Sequence, residues 1–220
     1  SYGSNQALSP LYNTSGLVGY WNFDEGSGTI AKDTSGNGRN GTLTNGPVWT
    51  SGKVGGALSF DGSNDAVNTS GNSPSLAGNF TISIWTRWNQ FQNYGGIVFN
   101  YTGGTAPYFN FFLSSYPSTI GFNLSNGVTI QNLSQSYASV NIATNNWYLL
   151  DVVVDGSFVR FYVNGTLAQS APQTVSSIGG SFPFSISHSV NPFNGSLDDA
   201  RIYNRALSAS EISALYNATK

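Results

Sequence analysis

From Leu17 onward the chain runs in short stretches where apolar and polar residues alternate, divided by turn dipeptides. In Phe80–Trp88, residues Phe80, Ile82, Ile84, Thr86 and Trp88 share one face and Thr81, Ser83, Trp85 and Arg87 the other. That period of two marks a strand. Trp147–Val154 meets Asp155-Gly156, and Phe158–Val163 meets Asn164-Gly165. Asp-Gly and Asn-Gly supply the positive φ angles of tight hairpins, so these runs form a meander. Further strands are expected at Leu17–Phe23, 57–60, 65–68, 96–101, 108–113, 119–124, 181–187 and 196–204. Roughly a dozen short strands with little helix argue an all-β, two-sheet sandwich. Trp85, Phe99, Phe109, Phe111 and Phe122 are expected to fill its core. One short C-terminal helix is expected over Leu207–Asn217, where Ser208 and Glu211 form a capping box and Ile212, Leu215 and Tyr216 an apolar stripe. Residues 1–15 carry few apolar positions and read as a leader or linker; residues 16–220 read as one domain.

Charged residues make up only 8% of the 220 residues, against about 25% in an ordinary soluble domain. Asn, Ser, Thr and Gly supply the polarity instead. With 14% aromatic and 39% apolar residues the chain is not a disordered one. Its net charge is −2 and its eight Lys and Arg are scattered, so no groove tracks phosphates and no nucleic acid partner is expected. The absence of Cys removes disulfides, thiolate nucleophiles and Cys-ligated zinc. No stretch approaches the roughly 18 apolar residues of a membrane span, so no membrane insertion is expected within this chain. Met is absent even at the start, so Ser1 is expected to follow a processing event or an artificial boundary. Ten N-x-S/T sequons, at Asn13, Asn40, Asn68, Asn79, Asn100, Asn123, Asn132, Asn164, Asn194 and Asn217, are glycosylation candidates. Together with the charge-poor composition they point to an extracellular or cell-surface glycoprotein.

Asp24 and Asp33 lie among small residues after the first strand, and oxygen donors on a Gly-rich loop suit a hard cation such as calcium. Three separated pieces of the chain then line up in order. The first is Tyr20-Trp-Asn-Phe-Asp-Glu-Gly-Ser-Gly28 with Asp33-Thr-Ser-Gly-Asn-Gly38 and Gly41-Thr-Leu43; the second is Gly55-Gly-Ala-Leu-Ser-Phe-Asp-Gly-Ser-Asn-Asp65 with the strand Phe80–Trp88. The third is Asp155-Gly156 through Tyr162-Val-Asn-Gly165 and then Gly195-Ser-Leu-Asp-Asp-Ala-Arg-Ile-Tyr-Asn-Arg-Ala-Leu-Ser208. In content and order they resemble the laminin G-like jellyroll domains of the concanavalin A-like lectin/glucanase superfamily, over nearly the whole chain. The resemblance implies a two-sheet antiparallel jellyroll and an extracellular module for glycan or protein binding. It also implies a calcium ion near the N-terminal and C-terminal strands, matched here by Asp24, the Asp33–Asn40 loop and Asp198. Alternation supports Asp198 separately: it shares a face with Ala200 and Ile202, which suggests that it points inward, where a cation or amide donors would have to compensate it. Asp24, Asp33 and Asp198 are the expected carboxylate ligands of a structural Ca2+, with Asn37 adding an amide or backbone oxygen. Asp61 and Asp65 read as a plain turn.

The same superfamily contains glycosidases, which need two carboxyl groups flanking the scissile bond. The chain has only two Glu, Glu25 in a loop and Glu211 at the helix cap, and Asp151 has no acidic residue two positions away. Adjacent Asp198 and Asp199 would face opposite ways in a strand. His188 is the only His, which leaves a zinc site short of ligands and a catalytic triad without support. No enzyme is expected. Sugars are held by aromatic faces and orienting polar groups. Asn89, Gln92, Asn93, Tyr94 and Tyr101 combine them, with Asn110 among the amides nearby. The expected function is a non-catalytic, calcium-supported extracellular module that recognises carbohydrate or a glycosylated partner in surface adhesion. The alternative is a self-assembling structural subunit of a surface layer or filament, with a glycoside hydrolase behind both.

Overall fold

The computed structural model describes residues 14–69, 76, 78–92, 94–100, 108–114, 119–136, 138–175 and 184–220. Its strands are β1 (Leu17–Trp21), β2 (Ile30–Ala31), β3 (Gly41–Thr44), β4 (Val48–Ser51), β5 (Gly56–Asp61), β6 (Ala66–Thr69), β7 (Phe80–Trp88) and β8 (Gly95–Asn100). They continue as β9 (Tyr108–Ser114), β10 (Thr119–Ser125), β11 (Ile130–Ser136), β12 (Trp147–Val154), β13 (Phe158–Val163), β14 (Thr166–Pro172), β15 (Ser185–Ile186) and β16 (Asn194–Tyr203), and helix α1 (Ala209–Thr219) closes the chain. The strands form two eight-stranded antiparallel sheets. The first has the order β14-β13-β12-β7-β16-β5-β4, with β1 also paired to β16; the second has the order β11-β10-β9-β8-β15-β6-β3-β2.

The apolar face of β7 packs as its alternation requires. Phe80, Ile82, Ile84 and Trp88 meet Phe109, Phe111, Phe122, Phe184 and Phe193 between the sheets. Phe109 lies 5.9 Å from Phe80 and 6.1 Å from Phe122, ring centre to ring centre. Each such side chain contributes about 1.5–3 kcal/mol on burial. The opposite face of β7 is not solvent-exposed. Trp85 packs there with Leu149 of β12 and Leu215 of α1, and Val153, Tyr162, Tyr203, Leu207 and Ile212 form a second apolar cluster. The sandwich is therefore three-layered under α1. Trp85 fills that outer layer rather than the inter-sheet core, a correction to the sequence expectation. Phe99 also lies outside the inter-sheet core, on the far face of the second sheet.

Helix α1 starts as its sequence dictates: Ser208 caps Glu211 N–H, and the Glu211 carboxylate accepts from Ser208 N–H, 2.9 Å. Arg205 pairs with Glu211 at 2.7 Å, and with the capping bonds holds that carboxyl down to about 2. The helix is displaced two residues C-terminally from its expected span. β7, β12 and β13 have the expected bounds, and the Asn164-Gly165 turn takes positive φ at both residues. β1 stops at Trp21, because Phe23 turns into the left-handed region at φ 54°. β2, β3, β4, β11 and β14 were not expected. They are short or lie at sheet edges, where polar side chains on both faces erase the alternation.

One irregularity reorganises the acidic segment. β16 pairs with β7 along its length, but the register shifts between Asp198 and Arg201, and Asp199 takes φ 53°. Leu197 and Ala200 consequently both reach the inter-sheet core. Asp198 stands opposite Trp85, on the other face from Leu197. The reading that placed Asp198 on the face of Ala200 and Ile202 assumed unbroken alternation; the bulge inserts an extra residue and inverts it.

Candidate functional site

The four expected metal ligands fall into two places. Asp33 is the nucleus of a turn: Oδ1 accepts from Tyr20 N–H and Ser35 N–H, both 3.0 Å, and Oδ2 from Arg39 N–H, 2.9 Å. Asn37 donates through Nδ2 to Leu17 O, 3.3 Å, and to Ser35 Oγ. Asp24 and Asp198 instead flank the loop between β4 and β5. Asp24 Oδ1 accepts from Gly56 N–H at 2.6 Å, and Asp198 Oδ2 accepts from Lys53 and Val54 N–H at 2.8 and 2.9 Å. Gly55 is needed in that loop, because it takes φ 69° and a Cβ there would strike the Asp24 carboxylate. Asp198 is buried, its Oδ1 has no hydrogen-bond partner, and burial, then the charges of Asp199 and Asp24, push its carboxyl up to about 8. Among the described residues no three His, Asp or Glu side chains gather to hold a metal.

The remaining acidic residues are engaged or enclosed. Asp199 pairs with Arg201 at 3.0 Å and accepts from the Tyr20 hydroxyl at 2.6 Å, a buried network beside the bulge. Glu25 accepts from Lys32 N–H, and Asp61 and Asp65 close the expected turn through Ser63 N–H and Asp61 N–H. Asp151 is fully buried in the layer under α1, level with Ser83 of β7.

The outer face of the second sheet has a different character. Phe109, Phe111, Phe122, Leu124 and Leu133 point into the core, so Asn110, Phe112, Gly121, Asn123, Asn132 and Ser134 point away from it. The pairing register strings one residue per strand into a row: Ile30, Thr42, Asn68, Ser185, Phe99, Asn110, Asn123 and Asn132. Eight strands at about 4.8 Å spacing make this row roughly 34 Å long. Ser185 Oγ donates to Asn68 Oδ1, 2.7 Å, and Asn68 Nδ2 to Thr44 Oγ1, 3.0 Å. Asn110 Oδ1 has no partner.

Two aromatic rings lie flat on this face because glycines make room. The Phe99 ring covers Gly96 and the Phe112 ring covers Gly121; a Cβ at either glycine would collide with the ring. His188 lies against Phe99 at 4.9 Å, and burial lowers its pKa. Tyr94 lies against Phe112 at 5.8 Å, yet remains 53% exposed. Tyr94 also has φ 59°, a conformation that costs a bulky residue on the order of 1–3 kcal/mol and concentrates at functional sites. Hydrogen bonds to neighbouring loops fix the chain on either side of it. Gln92 Nε2 donates to Gly62 O, Asn89 N–H to Asn194 O, Gly96 N–H to Asn191 O, and Ser187 Oγ to Asp65 O.

Of the expected ligand-binding residues, Tyr94 and Asn89 are exposed, and Gln92 is half-buried against the Asp61–Asp65 turn. Asn93 and Tyr101 lie outside the described residues, as does Asn13 among the sequons. Phe112, Gly121 and Ser185, which share this face, were not among the expected residues, and Asn123 and Asn132 were expected only as sequons. The alternation in Tyr108–Phe112 carried the signal for Phe112; the others require the register. Among the sequons, Asn40, Asn68, Asn79, Asn132 and Asn217 are exposed, and Asn123, Asn164 and Asn194 are half-buried. Asn100 is 4% exposed, so a glycan there is incompatible with the folded strand.

The family model for the concanavalin A-like lectin/glucanases superfamily, of laminin G-like type, matches residues 61–213. Among curated proteins no significant match was found. Among solved structures the binding domain of Paraclostridial Mosquitocidal Protein 1 is similar, with a TM-score of 0.76, 20% identity, and coverage of 92% of this chain and 52% of that one. Domain 4 of a GH43 extracellular arabinanase from Geobacillus stearothermophilus, in complex with arabinotriose, aligns with a TM-score of 0.72 and 20% identity over 91% of this chain and 98% of that domain. The binding domain of botulinum neurotoxin DC, in complex with SialylT, aligns with a TM-score of 0.75 and 16% identity over 94% of this chain and 52% of that one. At these identities the likeness is one of fold, and the chain spans about half the length of the toxin binding domains.

Proposed function

The chain belongs to the concanavalin A-like lectin/glucanases superfamily, and from that premise we propose that it is a non-catalytic extracellular module for surface adhesion that binds carbohydrate or a glycosylated partner. The observation that carries this reading is Tyr94, an exposed ring held in a strained backbone against Phe112 beside a row of amides and hydroxyls. An aromatic face receives the C–H patches of a sugar, and Asn and Ser side chains fix its hydroxyls. The arabinotriose and SialylT complexes of two proteins with this fold support the same use of the scaffold. The non-catalytic reading is supported by the engagement of the acidic side chains in turns, ion pairs and the helix cap.

Calcium belongs to the proposal at one place only. Asp198 Oδ1, buried without a donor, and Asp24 across the same loop would hold the ion, and backbone oxygens and water would complete its shell. Asp33 and Asn37 hold the separate Asp33–Asn40 turn, and Asp24, whose two oxygens accept from Gly56 N–H and Asn22 Nδ2, would share one of them with the ion. When bound, the ion would supply positive charge that lets buried Asp198 ionise, tying the chain's first loop to its last strand.

A glycan array in calcium and in chelator, run with wild type and Tyr94→Ala, tests the reading. Tyr94→Ala should lose at least tenfold in affinity at an unchanged melting temperature. Glycan binding that is intact in Tyr94→Ala refutes this face as the site, and a folded wild type that binds no glycan refutes the function.

A further inference from the structure

We infer that the second sheet's outer face takes an uncharged oligosaccharide laid across the strands, and excludes anionic sugars. The inference rests on the carbohydrate-binding reading and adds the ligand class. None of the residues in the eight strands of the second sheet is Asp, Glu, Lys or Arg. The first sheet contains Asp61, Arg87, Asp151, Arg160, Asp198, Asp199 and Arg201. Low charge content is thus not spread evenly; one whole sheet carries none.

The sequence neighbours of these strands do not restore a charge to the centre of the face. Lys32 follows β2, and Arg39 precedes β3 at the far edge. Asp65, before β6, is buried and holds Asp61 N–H. His188 is half-buried on Phe99, and the lowered pKa keeps it neutral at neutral pH.

A carboxylate or sulfate brought onto such a surface loses hydration without gaining an Arg or Lys partner, which is costly. A sugar hydroxyl both donates and accepts, as Asn, Ser and Thr side chains do. Asn110 Oδ1, an enclosed acceptor without a donor in the fold, adds no positive charge to this face. The row from Asn132 through Asn123 and Asn110 to Ser185 and Asn68 crosses strands, with Phe99 buried between Asn110 and Ser185, so the ligand lies perpendicular to the strands and meets the polar side chains to either side of that ring.

The test is binding of the full chain to neutral oligosaccharides and to sialylated or uronic-acid oligosaccharides, at 50 and 500 mM NaCl, with Asn123→Ala alongside. Neutral ligands alone should bind, with affinity changing less than twofold between the salt concentrations. Asn123→Ala should weaken binding at least fivefold at an unchanged melting temperature. Binding confined to anionic glycans, or weakened severalfold by salt, overturns the neutral-ligand inference and leaves carbohydrate binding standing. Full affinity in Asn123→Ala, with Tyr94→Ala impaired, overturns the cross-strand placement. No binding to either class overturns both.

Discussion

Replacing Asp151 by Asn should stabilise the protein at neutral and alkaline pH. Asp151 sits on β12 between Leu149 and Val153, in the layer beneath α1, and is fully buried. Its register neighbours are Ser83 and Tyr162, and Arg201 stands one strand further on. Neither carboxylate oxygen has a hydrogen-bond partner of full geometry, and the Ser83 hydroxyl beside it gives at most a weak one. Arg201 is already committed to Asp199 and Tyr20. Burial pushes the Asp151 carboxyl from 3.8 up to about 7; Ser83 and Arg201 draw it only partly back. A raised folded-state pKa means that the folded chain holds the proton more tightly. The stabilisation is full below pH about 4, is lost as pH rises towards 7, and levels off above. A displacement of about 3 pKa units at 1.36 kcal/mol each sets a ceiling of about 4 kcal/mol.

Asn cannot ionise, so this slope disappears in Asp151→Asn. Urea denaturation followed by Trp fluorescence at pH 4 to 9 reads the difference. The variant should match wild type within about 1 kcal/mol at pH 4 and exceed it by up to about 4 kcal/mol at pH 8. Asp198, also raised, contributes equally to both proteins and cancels in the comparison. Wild-type and variant stabilities that run parallel from pH 4 to 9 would refute the argument, because Asp151 would then be ionised and paired in the fold.

Calcium at a hundredfold excess over its dissociation constant should add about 2.7 kcal/mol, or roughly 5–10 °C in melting temperature for a domain of this size. Differential scanning calorimetry of chelated protein with and without calcium checks this, and Asp198→Asn should abolish the shift; an unchanged wild-type melting temperature removes the ion. Ser208→Ala removes the helix cap and should cost about 1 kcal/mol, seen as a melting temperature roughly 2–4 °C lower; no change would mean that docking of Ile212 and Leu215 alone fixes α1.

The parts of this fold legible in the sequence are those where one strand or one turn suffices. Phe80–Trp88 shows its two faces by alternation, and Ser208 with Glu211 shows a helix start, because both are interactions over a few residues. Alternation cannot say how many layers surround a strand, so Trp85 was assigned to the core when α1 covers it from outside. Nor does alternation survive a bulge: Asp199 enters the left-handed region without being Gly, and the side of Asp198 is inverted. Asp33 looks like a ligand in sequence because a carboxylate that accepts three backbone N–H groups and one that binds a cation have the same neighbours, small residues in a tight loop.

The proposed binding face was hidden for a further reason. Asn110, Asn123 and Asn132 belong to different strands, and only the register aligns them. Singly each reads as a polar residue or a sequon. Gly96 and Gly121 read as turn residues, although each is there to let a neighbouring ring lie flat. The 8% charge content was visible from the start, but whether charge is diluted or segregated depends on which strands share a sheet. Strand order decides it: β2, β3, β6, β8, β9, β10, β11 and β15 come from distant parts of the chain and together exclude every formal charge. A face built this way offers a ligand ring contact and neutral hydrogen bonds, so under the proposed carbohydrate reading its selectivity would come from the shape of the hydroxyl array it meets.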